Sequence, residues 1–339
     1  MSGGVKFPSF ADPYVALTWH LSDLFSHPSF RKLGEVPVET WLMPTPKPED
    51  LLLVTPVNYA VFIDSNGCKE YADKVKAFVQ EKIDGVPVMI GVDHSSTGGV
   101  VEALAERYGR DNLSIIVLDS HSDFLPMELR YKMIQHYRRA STKASTTNSF
   151  FEYDSFLVKR SESYNSGTFI YYMIKDGIIL PEKIILVGVS DRPPESLSYD
   201  DPGVTSAIEF YHDMEGQGVQ IVTRDELRKK GLENILSLLR KKVNSPNLYI
   251  SIDIDIGAIS AVYGAREILN PPIIGLNTRQ LYRVAKALSR VAGGRNVKLV
   301  GLDLMETDVY KAGMPLRSGK TDRTYEVEAN LIRKLLETN

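Results

Sequence analysis

The sequence predicts an α/β fold built on a mainly parallel sheet. Short apolar, β-branched runs alternate with longer segments whose apolar residues recur at helical spacing, which is the pattern of strands covered on both faces by helices. Four of those runs also lead straight into segments rich in aspartate and histidine. In open α/β sheets the carboxyl ends of neighbouring parallel strands are where sites form.

Residues 1–50 are rich in proline and aromatics and weakly periodic, and are expected to be an N-terminal extension packed on the domain that occupies residues 51–339. From Leu51 onward the runs LLLVTPV, AVFI, PVMIG, SIIVLD, KIILVGV, GVQIVT, LYISIDI and VKLVGLD read as strands. Between and after them EYADKVKAFVQEKI, GGVVEALAERY, RDELRKKGLENILSLLRKKV, TRQLYRVAKALSRVA and RTYEVEANLIRKLLE read as helices, with Thr223 and Thr278 placed as N-caps. Residues 124–165 break this rhythm. They are polar, Ser/Thr-rich and punctuated by aromatics, and are expected to form an inserted lid-like segment in which MELRYKMIQHYRRA is helical.

Composition excludes several partners. Forty basic and 43 acidic residues give a net charge of −3, without the basic stripe that nucleic acid or an anionic membrane requires. The hydrophobic content of 43% can fill a large core, yet no apolar run approaches the roughly 20 residues that span a bilayer. A single cysteine, Cys68, rules out an internal disulfide framework, and the N-terminus lacks the layout of a signal peptide, so a cytoplasmic location is expected. No Gly-x-Gly-x-x-Gly follows a strand, which argues against a dinucleotide site.

The chemistry lies in four segments: Gly-Val-Asp-His at residues 91–94, Asp-Ser-His-Ser-Asp at 119–123, Ser-Ile-Asp-Ile-Asp at 251–255 and Gly-Leu-Asp-Leu-Met-Glu at 301–306. If the strand that begins near Leu113 stays extended, period-2 alternation puts Asp119, His121 and Asp123 on one face. The same geometry pairs Asp253 with Asp255, and His94 closes its own strand. Taken singly, Asp-x-Asp also reads as a cap at a strand end and His94 as a hydrogen-bonded core histidine. Asp-x-His-x-Asp is more specific, because its crowded acceptors repel one another unless a cation sits between them. Four carboxylates and two imidazoles without a thiolate suit manganese or another divalent ion better than sulfur-held zinc.

In this order GVDHS, DSHSDF, SIDID and GLDLMETD resemble the arginase/agmatinase/formiminoglutamase family, the ureohydrolases, whose usual forms are Gly-Gly-Asp-His-Ser, Asp-Ala-His-x-Asp, Ser-x-Asp-x-Asp-x-x-Asp-Pro and Gly-x-Asp-x-x-Glu. The similarity runs from Val86 to the C-terminus. It implies a single three-layer αβα domain with a sheet of about eight strands, two Mn2+ per chain, and a homo-oligomer, trimer or hexamer. Carried over residue by residue, it places metal ligands at His94, Asp119, His121, Asp123, Asp253 and Asp255 and the guanidinium-binding acid at Glu306.

The resemblance further implies a binuclear manganese hydrolase in which a metal-bridging hydroxide attacks a linear guanidino compound, yielding urea and an amine. A small cationic substrate of the agmatine kind is favoured. Asp123 is the candidate to hydrogen-bond the hydroxide, Glu306 to accept paired N–H donors from the planar cation, and Asp93 and Asp303 to orient ligands. Where agmatinases carry Ser-His-Gly-Thr, this chain has Asn165-Ser166-Gly167-Thr168, so Ser166 occupies the place of a substrate-contacting histidine. Asp-Pro after the third segment is replaced by Ala258-Ile259, the loop AVYGAREILNPPIIG, with Arg266, replaces a Gly-rich one, and Val309 stands where a proline is usual. His136 is not expected to substitute for the missing histidine. Two alternatives remain open: a formimino or other C–N bond hydrolase of the same fold, and a metal-binding member without turnover that serves as a binding or assembly subunit.

Overall fold

The computed structural model describes residues 12–336 apart from 44–45, 143–161, 198–200, 230–231, 266–274 and 295. Its framework is one sheet of six strands, β1 (Val88–Ile90), β2 (Leu113–Leu118), β3 (Ile184–Val189), β4 (Gln220–Thr223), β5 (Asn247–Asp253) and β6 (Lys298–Met305). The strand order is β1-β6-β5-β2-β3-β4 and every pairing is parallel. Helices α1 (Pro13–His20), α2 (Ser22–Phe25), α3 (Pro56–Asp64) and α4 (Gly67–Lys82) precede β1; the crossovers that parallel strands need are supplied by α5 (Thr97–Tyr108), α6 (Met127–Thr142), α7 (Phe169–Lys175), α8 (Pro202–Gln217), α9 (Arg224–Lys229), α10 (Leu232–Lys242) and α11 (Thr278–Ala292), and α12 (Thr324–Leu336) follows β6.

Strand periodicity divides the core in two. Ile116, Leu118, Ile250, Ile252, Leu302 and Leu304 face one hydrophobic cluster with α10, α11 and α12, while Ile115, Val117, Ile184, Leu186, Tyr249 and Val300 face the other with α4, α5 and α8. Alternate residues of one strand therefore point into different cores, which is why the central strands are buried at every position and read as continuous apolar runs. On the second face α4 and α5 approach closely at Gly99, where a Cβ would lie 2.0 Å from the Ala72 carbonyl oxygen. On the first face Leu17 and Leu21 of the N-terminal segment are fully buried, and Arg333 of α12 holds Asp23 through two contacts of 2.6 and 2.9 Å.

The sheet has six strands among the described residues because the two runs preceding PVMIG are not strands. Thr55 accepts from the Asn58 amide at 3.1 Å and Pro56 occupies the first turn, so the chain enters α3 near the end of LLLVTPV and AVFI falls inside that helix. A capping threonine followed by proline is a helix start, and it outweighs the β-branched content. Thr223 caps α9 reciprocally with Glu226. Thr278 does not cap α11. Asn277 does, through a capping box with Gln280. No helix among the described residues is long and apolar enough to cross a membrane.

Candidate metal centre

The carboxyl ends of β1, β6, β5 and β2 bring the four motif segments together, but not by extended alternation. β2 stops at Leu118 and β5 at Asp253. Beyond them each chain turns on its own aspartate: Asp119 accepts from the His121 amide at 2.6 Å, and Asp253 accepts from the Asp255 amide at 2.9 Å at the start of a 3-10 turn. Asp123 has a φ of 50° and Glu306 a φ of 67°, a left-handed backbone that non-glycine residues adopt at a cost of order 1 kcal/mol or more. These turns, rather than a pleat, aim the carboxylates inward.

His94 likewise does not close a strand. β1 ends at Ile90, and Asp93 accepts from the Ser95 amide at 2.9 Å and the Ser95 hydroxyl at 2.5 Å, starting the 3-10 turn His94–Ser96 that runs into α5. This turn buries the imidazole completely. Its backbone N–H donates to Glu306 Oε1 at 3.1 Å, and its ring Nε2 lies 2.8 Å from Ser251 Oγ.

Asp303 fixes what that last contact means. It accepts from Ser251 Oγ at 2.6 Å, from Thr97 Oγ1 at 2.6 Å, from the Ile252 amide at 3.2 Å and from the Tyr249 hydroxyl. A serine hydroxyl has one proton, so while Ser251 donates to Asp303 it accepts from His94, which assigns the proton of the neutral imidazole to Nε2. The Nδ1 lone pair then points at Asp119 Oδ2 (3.1 Å), Asp123 Oδ2 (3.0 Å) and Asp253 Oδ2 (3.4 Å). Nδ1 of His94 and Oδ2 of Asp119 are buried without a hydrogen-bond partner.

A second group adjoins the first. Nδ1 of His121 lies 2.8 Å from Asp255 Oδ2 and 3.4 Å from Asp119 Oδ1, and Asp255 also accepts from the Ser120 amide (3.1 Å) and hydroxyl (2.7 Å). Among the described residues, Asp119 belongs to both groups that could hold a metal ion, His94–Asp119–Asp123 and Asp119–His121–Asp255. The donor set therefore fits two cations that share one carboxylate, and the unpartnered lone pairs are what such ions would satisfy.

Electrostatics agree with that fit. Burial and then the charges of Asp123 and Asp255 push the Asp119 carboxyl up to about 7, and burial with Asp255 and Asp119 pushes Asp253 well above its usual range. Asp255 is instead held low: burial acts against ionisation but is outweighed by His121 and the Ser120 hydrogen bonds. For both histidines burial disfavours the charged form and the facing carboxylates overcome it, so His94 and His121 bind protons more strongly than a free imidazole. The cluster attracts positive charge, and protons and metal ions compete for it.

A small cavity of about 20 Å³ opens onto the group, lined by His121, Asp123, Arg130, Ser166, Gly167, Asp253, Asp255 and Glu306. Ser166 reaches it from a turn in which Asn165 Oδ1 accepts from the Gly167 amide at 3.0 Å and the Asp123 carbonyl accepts from the Ile170 amide at 3.1 Å. His136 stays apart, its ring 3.2 Å from Asp201 between α6 and α8. Arg266 and residues 143–161 of the 124–165 segment lie outside the described residues.

Several contributors escaped sequence reasoning. Asp191, just past β3, accepts from the Ser122 amide (3.1 Å), the Ser122 hydroxyl (3.0 Å) and the Tyr211 hydroxyl (2.8 Å), tying down the loop that carries His121 and Asp123. Its place after an apolar run was a usable signal. Arg130 offered none, since nothing in a helical pattern says which residues meet a distant strand end.

The sequence matches the arginase family over residues 16–336. It is 28% identical over 227 residues to proclavaminate amidinohydrolase of Streptomyces clavuligerus, covering 66% of this chain and 55% of that protein. It is 24% identical over 262 residues to the mitochondrial agmatinase of Gallus gallus, covering 76% and 61%. The matched region thus spans little more than half the length of these relatives. Among solved structures, arginase from Bacillus caldovelox superposes with a TM-score of 0.61 at 17% identity, covering 95% of this chain and 89% of that one, a likeness of fold.

Proposed function

The chain belongs to the arginase family of hydrolases, and from that premise we propose that it is a binuclear metal hydrolase of a linear guanidino compound, releasing urea and an amine. The observation that carries this reading is the pair of partnerless buried acceptors, His94 Nδ1 and Asp119 Oδ2, inside a set completed by His121, Asp123, Asp253 and Asp255. Buried acceptors facing one another are destabilising unless a cation joins them. The names of two relatives, an amidinohydrolase and an agmatinase, support an amidine carbon as the target.

His94, Asp119 and Asp123 would hold one ion and Asp119, His121 and Asp255 the other, with Asp253 beside His94; two Mn2+ ions suit this oxygen-rich set. Bound there, the ions supply a nucleophile at neutral pH by acidifying a water. The side chains do the rest. Glu306 accepts N–H donors of the guanidinium and holds its plane against the cavity wall, a geometry that carboxylates share with planar cations. Asp123, aimed by its left-handed backbone, takes the proton of the attacking water and returns it to the departing nitrogen. Ser166 contacts the substrate at the place of the usual histidine.

The test is metal content and product. Purified protein loaded with manganese is expected to hold two ions per chain and to release urea from guanidino compounds, and His121→Ala or Asp253→Ala to lose metal and turnover together. Full occupancy in both variants would overturn the site. Formamide in place of urea would move the reaction to a formimino substrate.

A further inference from the structure

We propose that Arg130 recognises a carboxylate on the substrate, so that the substrate class is a guanidino acid rather than the decarboxylated guanidino amine that the motifs favour. This deepens the amidine-hydrolase reading and rests on it. Arg130, on α6, is half-buried and lines the same cavity as Glu306, Asp123 and Asp253. Its guanidinium lies against the Ser166–Gly167 turn: a Cβ at Gly167 would stand 1.7 Å from Arg130 Nη1 and 2.4 Å from Cζ, so a glycine there leaves the space the guanidinium occupies.

Neighbouring cationic side chains are paired. Lys132 meets Glu128 at 2.6 Å, and Arg192 meets Glu215 at 3.0 Å and Glu195 at 3.3 Å. Arg130 has no ion pair among the described residues.

Charge counting selects the ligand. Four aspartates, Asp119, Asp123, Asp253 and Asp255, balance two divalent ions, which leaves the anion Glu306 and the cation Arg130 facing the same space. A guanidino acid is complementary to that pair, its cation toward Glu306 and its carboxylate toward the planar, bidentate donors of Arg130. A guanidino amine brings two positive charges and meets Arg130 with the wrong sign, and specificity of this kind comes as much from repelling one ligand as from attracting the other.

The experiment compares 4-guanidinobutyrate, and the guanidino acids one methylene shorter and longer, with agmatine, by calorimetric binding to manganese-loaded protein and by urea release. The wild type is expected to prefer one of the acids by tenfold or more. Arg130→Gln should erase roughly 10- to 100-fold of the acid-to-amine preference, the size of a charge-assisted hydrogen-bond pair. Arg130→Glu should invert the preference, and Gly167→Ala, which displaces the guanidinium but keeps its charge, should shift it the same way as Arg130→Gln. A wild-type preference for agmatine, equal losses for acid and amine in Arg130→Gln, or binding of none of the acids would overturn the proposal. Arg130-dependent binding of an acid without urea would leave the recognition standing and sink the hydrolase reading instead.

Discussion

Ser251 Oγ sits 2.8 Å from His94 Nε2 and 2.6 Å from Asp303 Oδ1, so a residue that belongs to neither cation group dictates which nitrogen of His94 faces the carboxylates. The ligand geometry of the candidate centre is thus set one bond further out, in β5 and β6. The sheet itself orients the site.

Removing that relay should weaken the metal without removing a ligand. Ser251→Ala leaves Nε2 of His94 and Oδ1 of Asp303 short of a partner, and outer-shell losses of this type cost roughly 10- to 100-fold in metal affinity. Calorimetric titration of the metal-free protein with Mn2+ should show this drop at the His94 group, with the fold intact by circular dichroism. Unaltered affinity would mean that Asp303 holds the sheet and not the ligand.

Glu306→Gln separates substrate binding from metal binding. It keeps the shape and an acceptor for the His94 amide but removes the anion that faces the guanidinium. Metal content should stay at the wild-type level while kcat/KM on the best guanidino substrate falls by roughly 10-fold or more, a loss of about 1.4 kcal/mol or more in transition-state binding. Loss of metal in this variant would make Glu306 a ligand support.

His136→Ala should retain most of the activity on the best substrate, because the ring pairs with Asp201 between α6 and α8 and does not line the cavity. Steady-state kinetics at saturating manganese checks this. A fall of about 100-fold, the lower end of general acid–base catalysis, would place it in the chemistry.

Glu328 makes stability pH-dependent. It is fully buried on α12, accepts from Thr307 Oγ1 at 2.7 Å, and burial, modestly opposed by that bond, pushes its carboxyl up to about 8. The folded state therefore keeps a proton that the unfolded chain releases near its ordinary value of 4.5. Between those values the native state binds more protons, so this residue's contribution falls as pH rises, with a slope of up to about 1.4 kcal/mol per pH unit. Urea denaturation of the wild type and Glu328→Gln at pH 5.5 and 7.5 should show the variant gaining on the wild type at the higher pH. Parallel curves would show that Glu328 is ionised in the fold.

Candidate donor types, their order along the chain and the sheet class were legible in the sequence because each is a local pattern. An apolar run followed by Asp-x-His-x-Asp names both a strand end and a donor set, and the helix of residues 278–292 showed its amphipathic face directly. Even so, local reading misassigned LLLVTPV and AVFI, where a threonine cap and a proline redirect apolar residues into α3. The extended fan at Asp119 and Asp253 was also the wrong means to the right meeting, since side-chain-to-amide turns do the aiming.

By itself the sequence determined the candidate donor set, since a carboxylate oxygen or an imidazole nitrogen offers a lone pair wherever the residue stands. Only the tertiary structure decided which nitrogen of His94 faces inward, that Asp119 is shared between two groups, and that Arg130 comes to the same cavity as Glu306. Those facts depend on contacts between residues far apart in the chain, such as Ser251 with His94 and Arg130 with Gly167, and packing of one element on another settles them, which no local periodicity encodes.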